Sequence, residues 1–207
     1  MNYTIVDICN MALAQIKVRQ ITSLQDSTNE AQQCRKNIDA CITAVLSMAN
    51  WSFAKVIRQL PMIAAANINA EFLSDRLAEK NIFAYPADIV RIRSVRYLER
   101  EIDRYDVISV KLKSEESFIT VIVTDAPKIE IEYTRMADEV KLWSPLFVTT
   151  FVHYLAYTLA PLLSADSTAA TTQLQLYYLT LKQAQAANTN EQKHIRKRDL
   201  SVFREVL

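Results

Sequence analysis

The chain of 207 residues contains no glycine, where ordinary usage would place roughly 14. Glycine is the default wherever backbone must approach a phosphate closely or turn through positive φ. A Walker loop, a dinucleotide fingerprint and a nucleophile elbow each need it at fixed offsets, so none of them is encoded. Histidine is nearly missing as well, with only His153 and His194. No HExxH, Cys–His cluster or CxxC occurs, which leaves metal chemistry without its usual ligands. The sequence therefore names no catalytic residue, no cofactor site and no metal site. A net charge of +1 offers nothing with which to coat nucleic acid or a membrane surface. The three cysteines, Cys9, Cys34 and Cys41, read as small core hydrophobes in a reducing compartment, with no disulfide expected. Met1-Asn2-Tyr3-Thr4 does not begin a basic-then-apolar leader.

What is present begins with helical periodicity. Ile5, Ile8, Cys9, Ala12, Leu13 and Ile16 recur on one face and predict a helix over 4–17. Ser27-Thr28-Asn29-Glu30 reads as a capping box with Ser27 as the cap. The helix it opens carries Ala31, Cys34, Ile38, Cys41, Ile42, Val45, Met48 and Ala49 inward, and the first two helices are expected to pair antiparallel. Residues 51–60 leave the helix and turn extended, and 69–80 suggest a short helix with Phe72, Leu73 and Leu77 inward.

The period then changes to two. Residues 88–95, 105–112, 118–123 and 128–133 read as four antiparallel strands forming one small sheet. In the last of them Ile129, Ile131 and Tyr133 share a face, while Lys128, Glu130 and Glu132 point to water. Helices return at Ser144-Pro145, a serine cap followed by proline in the first helical turn. Residues 146–163 are apolar nearly all round and long enough to imitate a membrane span. Thr149, Thr150, His153, Thr158 and Pro161 favour a buried central helix instead. Asp166 or Ser167 caps a last helix whose Leu174, Tyr177, Tyr178, Leu181 and Ala184 make a stripe to about Ala187.

The expected fold is α+β and mainly helical: an antiparallel helix bundle with a small inserted antiparallel β-sheet and a C-terminal arm. The bundle takes 1–60 plus 144–188, the β-rich insertion 81–136 and the arm 189–207. Chemistry is sparse within this frame. His153 reads as a hydrogen-bonded core histidine, and Glu115-Glu116 as a solvated hairpin tip. The arm is the candidate binding element. Its Ile195, Arg196, Arg198, Leu200, Phe203 and Leu207 combine a basic cluster with apolar residues spaced to dock in a groove. Tyr154, Tyr157, Tyr177 and Tyr178 are read as core, with a subunit interface as the alternative.

Several blocks, taken in order, resemble the head-to-tail adaptor proteins of short-tailed bacteriophages, the tail tubular protein A type. They are the first helix, the connector Ile21-Thr22-Ser23-Leu24-Gln25-Asp26-Ser27, and the exit Trp51-Ser52-Phe53-Ala54-Lys55 with Arg58-Gln59-Leu60. Tyr85-Pro86-Ala87-Asp88-Ile89-Val90-Arg91 follows, and then a closing strand, loop and helix with Asp138, Leu142, Pro145 and Phe147. The family commonly has glycine after the first helix, where this chain has Lys17-Val18, and residues 62–82 have no counterpart in it. The resemblance implies a virion protein of the tail neck, present in host cytoplasm during assembly. It implies a ring, a dodecamer, between the portal protein and the tail nozzle protein, with the helical part at the portal and the β part towards the tail. Double-stranded DNA would pass through the lumen with non-specific contact, and neither catalysis nor a membrane is involved. Without the resemblance, the residues are also compatible with a helical protein- or DNA-binding regulatory module, which should bind duplex DNA in a salt-dependent way.

Overall fold

The computed structural model describes residues 3–72, 79–114, 117–164 and 166–202. The chain divides into two compact units: a helical unit of 1–54 with 136–207, and a β unit of 55–135.

In the helical unit, α1 (Ile5–Gln15) starts at Thr4, whose hydroxyl accepts from the Asp7 amide while the Asp7 carboxylate accepts from the Thr4 amide. The Thr4 amide, and then the Thr4 hydroxyl, donate to the Asp7 carboxylate and hold it below the usual carboxylate range. The helix closes in a Schellman arrangement, Lys17 N–H to Ala14 O (3.1 Å) and Val18 N–H to Leu13 O (3.1 Å). This geometry puts Lys17 at φ 57°, where a Cβ costs about 1–2 kcal/mol. Lys17→Gly is expected to raise stability by about 0.5–1 kcal/mol, glycine's greater unfolded-state freedom offsetting part of the gain. A urea titration of the two proteins measures it, and an unchanged midpoint would remove the strain argument.

The connector is fixed from both sides. The Asn10 amide exchanges two hydrogen bonds with the Ile21 backbone (2.8 and 2.9 Å), and the Asp26 carboxylate accepts from the Thr22 and Ser23 amides (both 3.0 Å). The cap of α2 (Asn29–Met48) is Thr28, bonded to the Ala31 amide, and not Ser27. The Gln32 side chain holds the Ser27 carbonyl outside the helix, which moves the start by one residue. Met48, expected inward, is half exposed, and Leu46 is buried instead.

Ser144 caps α3 (Pro145–Leu163) as expected, and Pro161 sits in its last turn. This helix is long and apolar enough to cross a membrane by length and composition. Its Phe147, Phe151, Leu155 and Leu159 are nevertheless wholly buried, because α1, α2 and α4 (Ser167–Val202) all pack on it. α1 and α2 each pack on α3 and meet one another at Cys9 and Cys34. The inward stripe of α4 is Gln173, Tyr177, Thr180, Leu181 and Ala184, while Tyr178 is more than half exposed.

The β unit overturns the reading of the chain as mainly helical with one small sheet. Among the described residues, the strands form two antiparallel sheets of four, a substantial part of the fold beside the helices. One sheet has the order β1 (Lys55–Gln59), β8 (Glu130–Arg135), β4 (Ile89–Tyr97), β5 (Arg100–Glu101). The other runs β2 (Met62–Ile63), β3 (Asn81–Ala84), β7 (Phe118–Thr124), β6 (Asp106–Lys111). The four expected strands exist, but β4 and β8 belong to the first sheet and β6 and β7 to the second.

The sheets are joined at both ends. Leu60 N–H still bonds to Ile129 O (3.1 Å) beside β8, and one residue later Pro61 O accepts from Ala84 N–H (3.0 Å) in β3, so β1 and β2 form one bent strand. At the other end, residues 102–105 carry β5 into β6. Leu60, Phe83, Val95, Ile122, Ile129, Ile131 and Tyr133 fill the space between the sheets. Val110, Val121 and Val123 on the far face of the second sheet are covered by Ile68, with Phe72 against them. That covering segment holds two single-turn 3₁₀ helices, Ala65–Asn67 and Ala70–Phe72; most of the helix expected over 69–80, with Leu73 and Leu77, lies outside the described residues.

Candidate partner-binding surfaces

Among the described residues, no group of three or more His, Cys, Asp or Glu is placed to hold a metal ion. Several buried or half-buried titratable groups have structural partners. His153 Nδ1 lies 2.8 Å from Gln173 Oε1, and Gln173 in turn reaches the Gln15 carbonyl at 3.5 Å. The Cys9 thiol, raised by its bond to Cys34 and by burial, sits where α1 meets α2. The Tyr133 hydroxyl donates to both oxygens of Asp88, at 3.1 and 3.3 Å. Burial first, and then Asp88, push that phenol up, with Arg58 and Arg135 opposing. Tyr177 is 3% exposed, its hydroxyl has no hydrogen-bond partner among the described residues, and burial pushes it up to about 12.

On the outer face of the first sheet, Glu132 does not simply face water. Lys55 (3.0 Å), Arg96 (3.5 Å) and Arg93 (4.0 Å) converge on it from both neighbouring strands. Arg93 Nε also donates to Thr134 Oγ1 at 2.9 Å. This is a cross-strand ion network, each pair worth roughly 0.2–1 kcal/mol.

The candidate docking arm is placed as follows. The backbone of α4 continues as helix through Val202, so Ile195, Arg196, Arg198 and Leu200 extend the last helix. Their side chains lie outside the described residues, as do Phe203, Leu207 and the Glu115-Glu116 tip. Of the tyrosine series, Tyr154, Tyr157, Tyr177 and Tyr178 form a chain of rings 5.0–6.1 Å apart, with only its Tyr178 end more than half exposed.

Sequence reasoning missed the β4–β5 hairpin. Its two-residue turn, Leu98-Glu99, has φ of 48° and 63°, the type I′ pattern, and Tyr97 pairs with Arg100 across it. Leu98 is 76% exposed. It lines two concavities: one of about 470 Å³ with Tyr97, Ile102 and Ala126, and one of about 220 Å³ with Arg96, Lys128 and Glu130. No Asn or Gly marks this turn, so the sequence carried no signal for it. Also missed were the open edges of the sheets. β1 ends the first sheet and β6 the second; among the described residues the outer side of β6 is paired only near its end, where Asn67 and Asn69 bond to Lys113 and Lys111. Ile57 on β1 is 50% exposed and Val107 on β6 is 45% exposed. No protein-family model matches the chain, and no curated protein matches it.

Proposed function

We propose that this chain is a structural virion protein, a head-to-tail adaptor that forms a ring between the portal protein and the tail nozzle protein of a short-tailed bacteriophage. The observation that carries the reading is the backbone at Lys17. The resemblance expects glycine there, and the residue holds a left-handed φ of 57° although it is a lysine. Any Schellman helix end favours glycine at that place, so the weight lies in the other blocks agreeing with it. Two pairs of them meet in space. The Trp51–Phe53 exit packs on Phe147 from the closing helix, and Asp88 from the Pro-Asp entry accepts from Tyr133 of the closing strand. Blocks distant in sequence are thus the residues that hold each unit together.

In this reading the work is mechanical. Repeated copies seal the portal exit and present a platform for the tail, many weak contacts acting together. DNA passes through without specific recognition, which suits a net charge of +1. The arm from 189 onward docks on the portal.

Immunogold labelling of purified phage particles from the source tests this. Label at a single vertex between head and tail is the expected result. Particles that lack the protein would overturn the reading and bring the regulatory module forward. A variant truncated after Asn188 is expected to fold and yet fail to attach to the portal, and normal attachment would remove the arm's role.

A further inference from the structure

We infer that the β unit joins head-to-tail to a second copy of this chain by strand addition, β1 of one protomer pairing antiparallel with β6 of the next. Ile57 then lies opposite Val107, and Arg58 opposite Asp106.

β1 and β6 are the long strands left at a sheet end; the other end strands, β2 and β5, have two residues each. An open edge presents a row of unpaired amides and carbonyls, a template for another strand. Each edge also exposes one large apolar side chain, Ile57 at 50% and Val107 at 45%. Setting these two opposite one another fixes the remaining pairs without further choice. Val56 meets Ile108, Lys55 meets Ser109, and Arg58 meets Asp106. Directly opposite residues share a face, so the apolar pair and the charged pair fall on opposite faces of the joined sheet. Arg58 and Asp106 make no ion pair among the described residues. Lys55, the charge that would ordinarily guard such an edge, is held by Glu132 across its own sheet.

The alternatives among copies are weaker. Joining β1 to another β1 gathers two Lys55 and two Arg58 with no acid between the strands. Joining β6 to another β6 could set Asp106 against Lys111, but that end is already paired with the segment around Asn67 and Asn69. The topology also favours head-to-tail joining. β1 lies at the end where residues 60–61 link the sheets, and β6 at the end where 102–105 link them. Two different patches at opposite ends make a heterologous contact, which yields a ring where the rotation closes and a filament where it does not. The joint stands on the open edges; it rests on the adaptor reading only for closure into a ring.

The test uses the full chain with Ile57→Cys and Val107→Cys made singly and mixed under mild oxidation, the native cysteines being buried. Opposed strand residues fall within disulfide reach. The expected result is a cross-linked dimer in the mixture and none in either variant alone. Arg58→Asp and Asp106→Arg should each weaken self-association about tenfold, and the double exchange should restore it to within about threefold. A link in Ile57→Cys alone, or no link at about 1 mM protein, would overturn the joint. Label at the phage neck without this cross-link removes the joint and leaves the adaptor reading. The cross-link without label supports the joint and removes the adaptor reading.

Discussion

Phe147→Ala is expected to lower the stability of the helical unit by about 4 kcal/mol, towards the upper range for loss of a buried phenylalanine. The ring is wholly buried and touches four others: Trp51 and Trp143 edge-on at 4.8 Å, Phe53 at 5.0 Å and Phe151 stacked at 6.0 Å. Truncation would open a cavity whose walls cannot collapse. Trp51 is pinned by its indole N–H to the Val45 carbonyl (2.9 Å) and Trp143 by its own to the Ala137 carbonyl (2.8 Å). Each lost aromatic pair adds about 0.5–1.5 kcal/mol to the transfer term. Domains of this size hold about 5–15 kcal/mol in all, so the loss is about a quarter to four-fifths of the total. Urea unfolding followed by tryptophan fluorescence reads the change directly, since both tryptophans belong to the cluster. Phe147→Leu should keep more than half of the loss from occurring. A cost below about 1 kcal/mol for the alanine variant would mean that the cluster is not the centre of the unit.

The opposite sign is expected at the β4–β5 hairpin, where Leu98→Asn with Glu99→Gly should stabilise the β unit by about 2 kcal/mol. Both residues now hold positive φ with a full side chain, each at about 1–2 kcal/mol over a residue suited to it. Asn-Gly is the preferred pair for this turn type, and neither replaced side chain is buried. Far-UV circular dichroism across a urea titration measures the gain. An unchanged midpoint would show that the turn relaxes out of its type I′ form. The strained turn holds Leu98 exposed between two concavities.

The helices were legible because their signals are local. The stripe from Ile8 to Leu13 and the Ser144-Pro145 start each lie within a few residues of what they specify. The cap of α2 was misplaced on Ser27, since the Gln32 side chain that holds the Ser27 carbonyl lies a full turn further on. The sheets were half legible. β8 alternates cleanly, but β7 is buried on both faces, so Val121, Ile122 and Val123 run together without a period. β4 is interrupted by register shifts after Ile89 and Ile92, which break its alternation. β2 and β5 have two residues each, too few to carry a pattern. Division into two sheets depends on pairings such as Phe83 with Ile122, almost forty positions apart, which no local window contains. Of the candidate surfaces, composition suggested the basic, apolar arm, whose side chains lie outside the described residues. The Leu98 turn and the two sheet edges came from topology and from a positive φ that glycine did not advertise.

One pairing inside the β unit bears on how such a chain can be assembled from parts. Lys55, its first residue, lies directly opposite Thr134, its next-to-last. Antiparallel partners stand about 4.5–5.5 Å apart at Cα, so the entry and exit of this insertion are almost one point. A host helix pair needs only a gap of that width to accept it, and would close over its removal with a short splice. The β unit is thus a graftable cassette: its strands can be exchanged as a block, by recombination or by design, without rethreading the helices that carry it.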